Sequence, residues 1–218
     1  MDNSATAKKC HMLKIVVAKL KRKYGANLRT SLDASSPWEL LVATMLSAQS
    51  QDKQVNVVTK DLFKKYHSVE DYASISPKQL YSQIGSLGLY KNKAKNIVAS
   101  AKAIVNNFNS QVPQSMDELI LLPGVGRKTA NVVLYNAFHI REGIAIDTHC
   151  ITVSGRLKIT RSSRPEVIES DLMKLLPKKE WGEITHLFIA LGRDTCTAKR
   201  KLCARCTLKN ICPSSDCK

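Results

Sequence analysis

The sequence predicts an all-α fold. Runs that alternate in the manner of strands are scarce, whereas helix-start signatures recur along the chain. Between those starts, apolar residues return every three or four positions, which places them on one face of a helix. Counting caps and periods gives about ten helices. No internal repeat and no low-complexity linker interrupts them.

The elements follow in order. Ser36-Pro37-Trp38-Glu39 offers a capping hydroxyl, a proline suited to the first helical position and a glutamate to close a capping box. Leu40, Leu41, Thr44 and Met45 carry the periodic face behind it. Ser76-Pro77-Lys78-Gln79 repeats the design, and Ile97, Ala101, Ile104 and Val105 mark a later long helix. Ser115-Met116-Asp117-Glu118 starts another, Val132, Val133, Leu134 and Ala137 the face of the next. Asp147 is a plausible cap for a helix beginning at Thr148, and Ser163-Arg164-Pro165-Glu166 supplies a further start with Ser163 as its cap. The best domain boundary is a change of character near Ile140 to Gly143, and the stretch from Arg193 differs again, being poor in large apolar residues.

Leu122 to Asn131 is the most informative segment for function. An apolar lead-in meets Pro123-Gly124-Val125-Gly126, and Arg127 and Lys128 follow in the first turn of a new helix. Two glycines two apart permit a tight turn with exposed N–H groups. Those groups and the positive end of the helix form a seat for one phosphate. Gly124, Val125, Gly126 and Arg127 are therefore candidate DNA-binding residues. Lys128 is either one more phosphate contact or a nucleophile.

Cys196, Cys203, Cys206 and Cys212 fall within seventeen residues, with six, two and five residues between them. Four thiolates suit a tetrahedral zinc or a [4Fe–4S] cube. Only one pair has the two-residue spacing common in zinc loops, and the irregular pattern favours the cluster. Cys10 and Cys150 read as packing residues; Cys217 could compete as a ligand. Lys199, Arg200, Lys201 and Arg205 form a basic rim on this loop, suited to gripping a phosphate backbone.

Composition bounds the partners. The 34 Lys and Arg against 18 Asp and Glu give a formal charge of +16, which points to a polyanion. No basic amphipathic helix with an aromatic face argues for a membrane surface, and no apolar run is long enough to cross one. The N-terminus lacks the apolar core of a secretory signal, so the expected location is cytoplasmic, associated with the nucleoid through DNA. Seven cysteines without such a signal suggest metal rather than disulfides.

Taken together, these features resemble the endonuclease III family of helix-hairpin-helix DNA glycosylases. The resemblance runs over nearly the whole chain: Ser36 to Leu41, Leu46-Ser47-Ala48-Gln49 with Asp52, Gly88-Leu89-Tyr90 with Lys93-Ala94, Leu122 to Val133, Ile146-Asp147-Thr148-His149 and the cysteine quartet. The quartet spacing matches the family's [4Fe–4S] loop and is the most specific of these. The resemblance implies two helical domains flanking a DNA-binding cleft. One is a six-helix block over residues 30–140 that contains the hairpin at about 115–137. The other is discontinuous, 1–29 with 141–218, and holds the cluster loop at 196–212. It also implies a monomer acting on double-stranded DNA with damaged bases or abasic sites, in base excision repair.

By the same resemblance Lys128 and Asp147 are the catalytic pair, and the chemistry suits them. Cleaving the glycosidic bond develops positive charge on the sugar, which a carboxylate stabilises. An amine attacking C1′ must be neutral, so its pKa has to fall from about 10.4 towards 7–8, through burial and the helix dipole. Gln49 and Leu89 are implied on the two loops that enter the duplex, one bonding the orphaned base and one wedging a step. Read alone, they are an ordinary loop amide and a core leucine. Lys91, Lys93 and Lys95 are expected to meet phosphate beside Leu89, and His149 is expected to be structural. Lys128 separates the chain from monofunctional relatives, and no additional C-terminal domain of the adenine-glycosylase kind is expected. Thr152 stands where the family commonly has arginine. Oxidised pyrimidines are the family's expected substrates. The alternatives are a non-catalytic hairpin DNA-binding protein and an iron–sulfur protein with a redox or sensing task.

Overall fold

The computed structural model describes residues 3–217, among which there are eleven α-helices, two 3-10 turns and no named strand. The chain divides into two compact units: Thr30–Glu142 is continuous, and the segments up to Arg29 and from Gly143 form the second.

The continuous unit carries α2 (Pro37–Leu46), α3 (Asp52–Lys65), α4 (Val69–Ser74), α5 (Pro77–Ile84), α6 (Tyr90–Asn107), α7 (Met116–Leu119) and α8 (Arg127–Phe138). That is seven helices against the six expected, the four-residue α7 standing as a helix of its own. Ser36 Oγ caps α2 at 3.2 Å from Glu39 N–H, while Glu39 reaches back to the N–H of Ser35, one residue earlier than the box predicts, at 2.6 Å. At α5, Gln79 closes its half of the box by accepting from the N–H of Ser76 at 2.7 Å. The apolar face of α2 meets α8 and α6, and Leu41, Ile97, Ala101, Ile104, Val133 and Leu134 are fully buried in one core. Burial stabilises each of the larger ones by roughly 1.5–3 kcal/mol. Trp38 and Tyr66 both stack on Tyr72, with ring centroids 5.3 Å apart in each pair.

The discontinuous unit carries α1 (Asn3–Tyr24), α9 (Thr148–Arg156), α10 (Pro165–Leu175) and α11 (Trp181–Asp194), with 3-10 turns at Lys178–Glu180 and Cys203–Arg205. Its core joins Leu13, Val16 and Leu20 of α1 to Val153, Ile168, Leu172, Leu187 and Phe188. Lys21 bonds Glu180 and Glu183 at 2.6 and 2.8 Å. Burial opposes its charge, but the two carboxylates outweigh it and hold the ammonium above its ordinary range. Helix α10 departs from expectation: its N-cap is Arg164, which makes no side-chain cap bond, and Ser163 is left outside. Pro165 takes the first helical position and forces the residue before it into extended backbone, so the proline sets the start.

Candidate active site and nucleic-acid interface

The continuous unit brings three segments onto one helix. Gly124 lies in the left-handed region at φ +79°. A Cβ built there would stand 2.5 Å from Asn96 Nδ2 and 2.7 Å from Asn96 Cβ, so both the backbone and the neighbour require glycine. Ser100 Oγ donates to Pro123 O at 2.8 Å. Asn96 and Ser100, one turn apart on α6, thus brace the turn from beneath. Val125 is buried and offers only its backbone to a ligand, while Gly124, Gly126 and Arg127 are exposed. Gly126 is the N-cap of α8 and has no side chain to bond the first-turn N–H groups, and a Cβ there would meet nothing within 4 Å. The protein itself does not demand this second glycine. Its bare backbone leaves the helix end open to an anion.

Lys128 stands in the first turn of α8 and is exposed. The burial expected to favour its neutral form is therefore not provided by the folded chain. Gln49 and Leu89 are both exposed, Leu89 by 55%, and both sit in the left-handed region at φ 55° and 58°. A leucine with that backbone and that exposure is an outlier, of the strained kind that gathers at functional sites. The two loops are neighbours: Gln49 O lies 3.9 Å from a Cβ built on Gly88, and Gln54 Nε2 donates to Ser86 O at 2.8 Å. Lys91 and Lys95 are exposed beside them. Lys93 is not available to phosphate. It is 6% exposed, and its ammonium donates to Leu46 O at 2.8 Å and Ser50 Oγ at 3.0 Å. Its phase on α6 matches the buried Ile97, Ser100 and Ala101, a signal hidden by the run of lysines around it.

The discontinuous unit mounts Asp147. Its Oδ1 accepts from Cys150 N–H at 2.7 Å and caps α9, and the side chain is half-buried. The segment before it is clamped: Ile144 N–H donates to Glu169 at 3.0 Å, and Ala145 O accepts from Thr185 Oγ1 at 2.9 Å. His149 packs against Gly192 so closely that a Cβ there could not fit. His186 of α11 lies within electrostatic range of Asp147. Burial holds it near pKa 4, although Asp147 and Glu183 pull the other way.

The four cysteines line one small cavity together with Arg156, Thr195, Lys201, Leu202, Lys209, Ser214 and Ser215. Among the described residues, no three His, Cys, Asp or Glu are grouped tightly enough to hold a metal ion. Burial pushes the Cys206 and Cys212 thiols up, and the other cysteines add to this. Two donors face the sulfurs: Arg156 Nη1 at 3.1 Å from Cys196 Sγ and Leu208 N–H at 3.4 Å from Cys206 Sγ. Arg156 has no local sequence signal and was not anticipated. Thr152, one turn earlier, bonds back to Thr148 O at 2.9 Å and reaches nothing in the loop. Lys199 and Arg200 are exposed at a tip turned by Thr197, whereas Lys201 is drawn to Asp216 at 2.5 Å and leaves the rim. Cys217 is exposed and does not line the cavity; Cys150 is buried and Cys10 half-buried against the core.

Residues 42–178 match the model of the HhH-GPD superfamily base excision DNA repair proteins. Endonuclease III of Synechocystis is 46% identical over 186 residues, 85% of each chain. Endonuclease III of Bacillus subtilis is 47% identical over 179 residues, 82% of this chain and 81% of that one. A solved structure described as a trapped endonuclease III–DNA covalent intermediate superposes with a TM-score of 0.87 at 39% identity, covering 94% of this chain and 96% of that one. With the braced hairpin, the capped aspartate and the four-thiol cavity on one chain, likeness over this length places the protein in the endonuclease III family.

Proposed function

We propose that the protein is a bifunctional DNA glycosylase and AP lyase of base excision repair, acting as a monomer on duplex DNA with oxidised pyrimidines or abasic sites. The observation that carries this is an exposed Lys128 in the first turn of α8, directly behind an uncapped, glycine-built helix end. A phosphate seated on that end brings its sugar to the amine. The related endonuclease III described as covalently trapped on DNA supports a nucleophile rather than a mere phosphate contact.

The amine of Lys128 attacks C1′ as the glycosidic bond breaks, and the base leaves with a proton. Asp147 stabilises the cationic sugar. The covalent adduct opens to a Schiff base, C2′ loses a proton, and the 3′ phosphate leaves by β-elimination. Because Lys128 is exposed in the folded chain, bound DNA supplies the dry surroundings that the neutral amine needs. Gly124, Gly126 and Arg127 grip the backbone, as do Lys199 and Arg200. The target base leaves the stack at a cost of a few kcal/mol; Gln49 bonds the base left behind and Leu89 fills the step.

Cys196, Cys203, Cys206 and Cys212 would hold a [4Fe–4S] cluster. The four line one cavity, and Arg156 Nη1 and Leu208 N–H face its sulfurs, the donors that thiolates holding such a cluster would take. When bound it supplies four cross-links that fix the loop carrying Lys199 and Arg200.

Borohydride added during reaction with an abasic duplex should trap a covalent complex. Lys128→Gln should lose that complex and strand cleavage while keeping salt-sensitive DNA binding. Active protein that cannot be trapped refutes the lyase reading. A brown preparation containing iron is expected; a colourless, zinc-loaded one overturns the cluster.

A further inference from the structure

Leu89, Lys93, Asn96 and Ser100 follow one another on a single face at and along α6, and between them they reach two loops. Ser100 and Asn96 brace the hairpin turn. Lys93 N–H donates to Leu89 O at 3.1 Å, while its ammonium crosses to Leu46 O and Ser50 Oγ on either side of Gln49. The first is an ordinary backbone bond opening α6; the side chain alone ties the Gln49 loop to the helix that starts at Leu89, and both tips are held in left-handed backbone.

A non-glycine residue in that backbone is strained and persists only where its surroundings over-determine it. The ammonium is well suited to this. It is buried on two neutral oxygens, so withdrawing it from either leaves a buried charge with a single acceptor. A neutral side chain of similar length would lack the donors and release the Gln49 loop.

We infer that Lys93 is a positioning residue for base excision, a latch that holds the Gln49 and Leu89 loops in the paired, strained form that enters DNA. The inference rests on the reading of Gln49 and Leu89 as the inserted groups. Lys93 touches no substrate; it acts only through those two tips. Loss of the latch therefore slows excision from a duplex, where the gap must be filled, and adds nothing once the tips are gone.

A double-mutant cycle under single-turnover conditions tests this on the full chain with an oxidised pyrimidine in duplex DNA. Lys93→Met should slow excision about tenfold with the native tips and less than about twofold in a Gln49→Ala/Leu89→Ala background. Ser50→Ala, which removes one acceptor from an exposed loop, should slow excision in the same direction by a smaller factor, and carries the same cycle where Lys93→Met melts below the assay temperature. Equal losses in both backgrounds overturn the latch. A Gln49→Ala/Leu89→Ala protein that excises at the native rate overturns the reading beneath it instead.

Discussion

Gly124 and Gly126 look equivalent in sequence and differ in kind. Gly124 has a positive φ and Asn96 against it; Gly126 has ordinary extended backbone and open space. Gly124→Ala should destabilise the fold by about 1–3 kcal/mol. Gly126→Ala should leave thermal unfolding nearly unchanged and weaken DNA binding, measured by anisotropy. Asp147 caps α9, and the proposed mechanism gives it a second, separable task. Asp147→Asn keeps an oxygen for Cys150 N–H, so stability should hold within about 0.5 kcal/mol while excision is lost; Asp147→Ala should cost a further ~1 kcal/mol in urea unfolding. The hairpin and the cap were legible because turn and cap chemistry are local. The burial of Lys93 was not, since its partners lie 43 and 47 residues away.

Helix starts were read well where a side chain makes the cap, as at Ser36 and Ser115, and misread at Ser163, where proline decides. Helix α9 shows what periodicity could not give. Asp147 caps one end; at the other, Arg156 donates to Cys196 Sγ and to Ala198 O at 3.1 Å, and its own carbonyl receives the Cys212 thiol. A charged donor of this kind is worth roughly 1.5–3 kcal/mol. Arg156→Gln should therefore keep the helical circular dichroism but shed iron to a chelator at least about tenfold faster. Unchanged iron release would deny Arg156 a part in holding the loop.

Over the whole molecule, stability carries a pH dependence with a definite sign. The folded chain holds His186 near pKa 4 by burial, against an ordinary value of 6.5. Between these the unfolded chain binds more protons, so stability rises with pH across that window. The contribution is complete above about pH 6.5 and is lost as the pH falls towards 4, amounting to at most ~3 kcal/mol. Thermal unfolding of the native chain should fall more steeply from pH 7 to 5 than that of His186→Phe. A parallel decline in both would remove His186 as the cause. Net charge, by contrast, was readable at once and pointed to a polyanion without any structure.

The footing of the hairpin on α6 also limits what can be moved between proteins. The turn at Pro123 and Gly124 takes its shape partly from Ser100 and Asn96, which lie outside the segment from Ser115 to Phe138. A graft of that segment onto another scaffold would carry Gly124, Gly126 and Arg127, the turn's proposed phosphate contacts, and lose the floor they stand on. To transplant the grip, a designer would have to take α6 with it.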